Sequence, residues 1–211
     1  IIIMAFTMIS MIGSETVLPM FVQNIMQESA LQSGLILLPG AIVMAIMSII
    51  SGMLYEKYGA KILAFIGMLI VVITTSFFVF MDGETSTAAL ATVYGIRMIG
   101  IALGLMPLMT HTMNQLSHEM NAHGSSMTNT VQQISASIGT AGLITIMSHI
   151  ANKFEPNMAD YQGMNKQEMT LQIQHDALLN GYHAAFWFAV SISIISLICV
   201  FFLKGKSKKH A

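Results

Sequence analysis

Apolar residues run through this chain in long uncharged blocks separated by short polar connectors. Six blocks approach or exceed the roughly 20 residues that an α-helix needs to cross about 30 Å of hydrocarbon. They are residues 1–25, 33–55, 62–81, 88–113, 124–150 and 182–203. The second, third and sixth carry no Asp, Glu, Lys or Arg, the first carries only Glu15, and the fourth carries only Arg97. The fifth, GSSMTNTVQQISASIGTAGLITIMSHI, is polar in its first half but too long and too uncharged for an ordinary loop. In lipid the backbone must satisfy its own hydrogen bonds, so uncharged runs of this length predict helices. The pattern predicts an all-α integral membrane protein with six transmembrane helices.

The connectors are short except for 151–181, ANKFEPNMADYQGMNKQEMTLQIQHDALLNG, which is acidic and polar and is broken by Pro156 and Gly163. Its charges read as solvation, and a short surface helix is expected near 166–179. Composition agrees with the pattern. The chain is 55% hydrophobic and only 9% charged, against about 25% charged in a soluble domain. The single cysteine, Cys199, excludes a disulfide within the chain. No basic patch with interleaved aromatics points to nucleic acid. The start, IIIMAFTMISMIG, lacks the charged stretch and cleavage site of a signal peptide, so the chain is expected to begin inside a membrane helix.

The distribution of charge sets an orientation. Lys57, Lys61, Lys204, Lys206, Lys208 and Lys209 fall on one side of a six-span path and make up six of the nine basic residues. Only Lys153 and Lys166 fall on the other. Lysine and arginine are retained on the cytoplasmic side. Both ends, including the basic tail 204–211, are therefore expected to be cytoplasmic, with 151–181 as an extracellular loop.

Between the second and third blocks lies SGMLYEKYGAK, residues 51–61, read as a tight cytoplasmic turn. Gly52 would let backbones approach, and Gly59 would end a helix in a left-handed conformation. Lys57 and Lys61 suit anionic lipid. As bare chemistry this is an orientation anchor. Its spacing, Gly52-x-Leu54-x-Glu56-Lys57-x-Gly59-x-Lys61, also resembles the G-x-L-x-D-R-x-G-R-K loop of major facilitator superfamily transporters. Glu56 stands where that family has Asp, and Ala60 replaces a basic residue. LPMFVQNIMQESALQSGLILLPGAIVM, GIRMIGIALGLMPL, NAHGSSMTNTVQQISASIGTAG and HDALLNGYHAAFWFAV are similar to the fourteen-helix drug:proton antiporters of the EmrB/QacA type. That subgroup often has Arg before the Gln in the fifth of these helices, whereas here Gln132 precedes Gln133.

The resemblance implies the C-terminal six-helix bundle of such a transporter, with the N-terminal half missing from this chain. It implies proton-coupled export of lipophilic or cationic compounds by alternating access, in a bacterial plasma membrane. It also implies a latch role for the 52–61 motif. The competing expectations are a carrier of a specific metabolite or lipid, and a non-transporting interaction module. The expected partners are small-molecule drugs or lipophilic cations, protons and membrane lipids. No cofactor and no metal is expected. The histidines of HEMNAH, His118 and His123, are five residues apart, and a zinc helix needs four. No compact catalytic set stands out, so the protein is not expected to be an enzyme.

Polar residues inside the spans supply the remaining candidates. Gly100 and Gly104 form a GxxxG pair suited to close helix packing. Pro19, Pro39 and Pro107 would kink helices. Asn129, Gln132, Gln133, Ala136 and Thr140 share one helical face, which either hydrogen-bonds to other helices or lines a wet cavity. Of the twenty methionines, Met106, Met109 and Met127 are candidates for a soft, polyspecific pocket. An unpaired charge at mid-membrane costs at least about 2.5–3.5 kcal/mol. Glu15 and Arg97 are placed at similar depth, so two readings stand. They form a structural ion pair, or Glu15 takes up a proton or a cationic drug while Arg97 biases it.

Overall fold

The computed structural model describes residues 2–114 and 121–203. The expectations for the tail 204–211 and for His118 therefore lie outside the described residues. Among the described residues there are five helices, α1 (Ile2–Asn24), α2 (Ala30–Phe78), α3 (Thr87–Met113), α4 (Asn121–Asn152) and α5 (Lys166–Phe201), with a 3-10 turn at Met158–Tyr161. All five are long and apolar enough to cross a membrane by length and composition.

At 49 residues, α2 would measure about 74 Å at 1.5 Å per residue, more than twice the thickness of the hydrocarbon. It does not run straight. Gly59 has φ 78° and ψ 168°, a region of backbone space open essentially to glycine alone. The two arms, 30–58 and 60–78, both pack on α3. In the first arm, Gly40 lies against the ring of Tyr94 and the side chain of Met98. In the second, Gly67 lies against the backbone of Gly100 and Gly104. The chain therefore reverses at Gly59, and α3 seats both arms.

This corrects the reading of 51–61 in three ways. The stretch is helical apart from Gly59 rather than a loop. Gly59 is extended with positive φ, not left-handed helical. Gly52 is exposed, and a Cβ there would meet nothing within 4 Å, so no backbone among the described residues approaches it closely. Pro19, Pro39 and Pro107 each lie inside a helix that continues past them, so none of the three ends its helix. Residues 166–179 are not a separate surface helix. They are the first turns of α5, which opens on a capping box formed by Asn165 and Glu168.

Helix α1 is clasped by α4 and α5. Gly139 lets α4 approach the backbone at Ile9, and Gly181 lets α5 approach Met147. Along the α1–α5 seam, Thr7 Oγ1 and Ser196 Oγ are 2.8 Å apart, and Ser10 Oγ and Ser193 Oγ are 2.5 Å apart. Side-chain hydrogen bonds of this kind join helices where lipid offers no hydrophobic drive to do so. Toward the other end of α1, Phe21 meets Tyr182 edge-on, with ring centroids 5.4 Å apart, and Asn24 donates to the Tyr182 hydroxyl at 2.7 Å. The opposite surface of α2 exposes Leu31, Leu35, Leu38, Ile42, Ile46 and Ile49 at three- and four-residue spacing. In water that stripe would be an aggregation surface.

Candidate functional site

The site forms where α1, α3 and the second arm of α2 meet. Arg97 of α3 is fully buried, with 1% of its surface exposed. Its Nη1 donates to Thr75 Oγ1 at 2.5 Å, and its Nη2 donates to Ser14 Oγ at 2.6 Å and to the Met11 carbonyl at 3.2 Å. The Phe78 ring lies 5.9 Å from the guanidinium carbon, within range of a cation–π attraction. The two hydroxyls are oriented for this task. Ser14 Oγ donates to the Ser10 carbonyl at 3.0 Å, and Thr75 Oγ1 donates to the Val71 carbonyl at 2.7 Å. Each hydroxyl proton is thus spent on its own helix, leaving lone pairs that face the guanidinium.

Glu15 is half-buried and follows Ser14 directly in sequence. It makes no direct ion pair with Arg97 among the described residues, the contact that one of the two readings invoked. The guanidinium is held by neutral acceptors instead. The two charges still act on each other through space, and Tyr94, one turn before Arg97 on α3, lies within the field of both. The Glu15 side chain lines a cavity of about 270 Å³ with Met8, Met11, Ile12, Met44, Ile101, Leu105, Gln132 and Gln133. One carboxylate and two amides therefore sit in a wall of soft, apolar side chains. Such a wall accepts varied shapes, and the carboxylate offers it one site for a proton or a cation.

The α4 face predicted from sequence is divided by the fold. Gln132 and Gln133 reach the cavity, Asn129 lies exposed outside it, and Thr128, Ser135 and Gly139 form the buried side. Gln132 also approaches the Met4 sulfur at 3.9 Å. Met106, Met109 and Met127 are not in the cavity wall, where the methionines are Met8, Met11 and Met44. A sequence signal for two of these existed, because Met8, Met11, Ile12 and Glu15 follow i, i+3, i+4, i+7 spacing on one face of α1. Ser14 and Thr75 carried no comparable signal, since nothing in a hydroxyl's local sequence shows which distant cation it will meet.

Gly100 and Gly104 face Gly67. A Cβ on Gly67 would stand 2.5 Å from the Gly100 carbonyl oxygen and 2.6 Å from the Gly104 nitrogen. Gly67 was not singled out in the sequence, because a lone glycine in an apolar run shows no spacing. In the 52–61 motif, Leu54 is half-buried, Glu56 and Lys57 are exposed, and Lys61 Nζ lies 5.2 Å from the Phe201 ring of α5. Near the start of α5, the Tyr161 hydroxyl donates to Asp176 at 2.8 Å, so at least one charge of the long connector is held rather than merely solvated.

Comparison with known proteins adds an independent observation. Residues 1–140 match the family described as Major Facilitator Superfamily. The chain is 46% identical over 143 residues to the uncharacterized MFS-type transporter YhcA of Bacillus subtilis, covering 68% of this chain and 27% of that protein. It is 37% identical over 194 residues to the uncharacterized MFS-type transporter YcnB of the same organism, covering 92% and 38%. It is 34% identical over 203 residues to the lincomycin resistance protein LmrB of B. subtilis, covering 96% and 41%. The chain thus spans less than half the length of these relatives.

Proposed function

This chain belongs to the Major Facilitator Superfamily, and from that premise we propose that it forms one bundle of a drug-efflux transporter coupled to protons. In this reading, six spans arise from five helices because α2 contributes two. The bundle is the C-terminal one of a fourteen-helix exporter, and it rocks against a second bundle to open the Glu15 cavity to each side in turn. The substrates are lipophilic or cationic compounds, with lincomycin among those to test because a relative carries that name. The protein carries its cargo across the membrane without altering it chemically.

The observation that carries this reading is the placement of Glu15 on a cavity wall that Gln132 and Gln133 also line, next in the chain to the Ser14 that binds a buried Arg97, which no carboxylate touches among the described residues. A carboxylate in that position alternates between holding a proton and holding a cation. The arginine stays charged and cannot carry the proton itself. The test is Glu15→Gln in the full-length transporter, expressed at matched level in a host lacking its main exporters. Resistance to lincomycin and to organic cations is expected to fall, together with the pH dependence of efflux. Unchanged resistance and unchanged pH dependence would reject the coupling role of Glu15.

A further inference from the structure

We propose that Ser14 and Thr75 are positioning residues that hold Arg97 away from Glu15 and so keep the carboxyl available to the cavity. The inference rests on the role of Glu15 proposed above and adds the device that maintains it. Arg97 has three acceptors within 3.2 Å, and all three are neutral: Ser14 Oγ, Thr75 Oγ1 and the Met11 carbonyl. They come from two helices, α1 and the second arm of α2, so the planar guanidinium is gripped from both sides. Glu15 is next to Ser14 in the chain and is the acidic group that acts on Arg97. The other titratable group within the field of both is Tyr94, and no charged side chain from α2, α4 or α5 joins them among the described residues. An Arg97 released by its hydroxyls therefore has one strong acceptor to turn to. Bidentate pairing with that carboxylate is stronger than any one of the present bonds, though not than all three together, and once the hydroxyls are removed it would close the site to protons and cations together. The hydroxyls prevent the collapse because each has committed its own proton to a helix carbonyl.

The reactivity of the Glu15 carboxyl toward a hydrophobic carbodiimide tests this without knowledge of the substrate. That reagent attacks carboxyls that carry a proton, and an ion pair removes the proton and blocks access. Full-length transporter in membranes is labelled with dicyclohexylcarbodiimide, and modification at Glu15 is followed by peptide mass spectrometry, with Glu15→Gln as the blank. The double variant Ser14→Ala/Thr75→Val is expected to label about tenfold more slowly, the factor that one charge-assisted hydrogen bond represents. Ser14→Thr and Thr75→Ser, which keep the hydroxyls, are expected to label at the wild-type rate. Adding Arg97→Gln to the double variant is expected to restore labelling. Wild-type labelling in the double variant overturns the proposal, as does equal slowing in the hydroxyl-retaining variants. Should the double variant fail to insert, Ser14→Ala alone is read the same way, with about threefold slowing expected for one of the two hydroxyls. The two readings fail separately. If Glu15→Gln leaves efflux unchanged, the transport role of Glu15 falls while the positioning of Arg97 stands. If the hydroxyl variants label normally, only the positioning falls.

Discussion

Arg97 is a buried cation whose hydrogen bonds all go to neutral acceptors among the described residues, and that arrangement has measurable consequences. Lysine at the same position keeps the charge but loses the fork that reaches Thr75 and Ser14 at once. Arg97→Lys is therefore expected to leave at least one buried hydroxyl acceptor unused and to cost about 1–3 kcal/mol, read as a lowered melting temperature in detergent. A melting temperature equal to wild type would mean that the bidentate geometry is energetically idle. The two charges themselves were legible in the sequence, because a lone Glu15 or Arg97 in an apolar run must find a partner or a wet cavity to be tolerated. Their relation was not legible. Depth along two helices follows from counting residues, but the rotation of each helix decides whether a guanidinium meets a carboxylate or a hydroxyl. Periodicity in one helix carries no information on the azimuth of its neighbour. The same limit separates Gln132 and Gln133, which reach the cavity, from Asn129, one turn away and outside it.

Among the helices, a close backbone-to-backbone contact lies between the second arm of α2 and α3, where Gly67 faces Gly100 and Gly104. Gly67→Ala places a methyl carbon 2.5 Å from a backbone oxygen, which neither helix can yield cheaply. A destabilisation of about 1–3 kcal/mol is expected. Gly95 lies in the same helix as Gly100, but a Cβ there would meet nothing within 4 Å. Gly95→Ala should therefore be neutral or stabilising by up to about 1 kcal/mol. Thermal unfolding of both variants in one detergent decides the matter, and equal effects would contradict the packing account. Helix existence was readable from hydropathy, since each apolar block lies largely within helix. Helix ends were less so. A helix near 166–179 was expected, but its continuity with the last apolar block was not, because polar turns ahead of an apolar run read as a separate surface element rather than as the opening of one helix from Lys166 to Phe201. The Asn165 and Glu168 pair, three residues apart, is the capping signal that marks the true start. The fold-back at Gly59 was likewise visible as a glycine but not as a conformation.

For the molecule as a whole, the lysine bias and the family membership together make orientation testable. Cysteine introduced at Lys166 of the full-length protein is expected to react with an impermeant thiol reagent in intact cells, whereas cysteine at Lys208 is not. The reverse pattern would invert the proposed topology. Purified as strict monomers, these 211 residues are expected to bind but not to pump, since a cavity walled on one side cannot alternate its access. Substrate-dependent export from proteoliposomes containing only this bundle would refute that. The length of α5 has a practical consequence of another kind. Its 36 residues measure about 54 Å, against about 30 Å of hydrocarbon. The surplus is at the Lys166 end, where the helix is capped and where Asp176 is tied to Tyr161. Those turns form a rigid handle continuous with the membrane-embedded core. An antibody fragment raised against them would move in step with the bundle. It would give electron microscopy of this small, otherwise featureless membrane protein a fixed landmark for particle alignment.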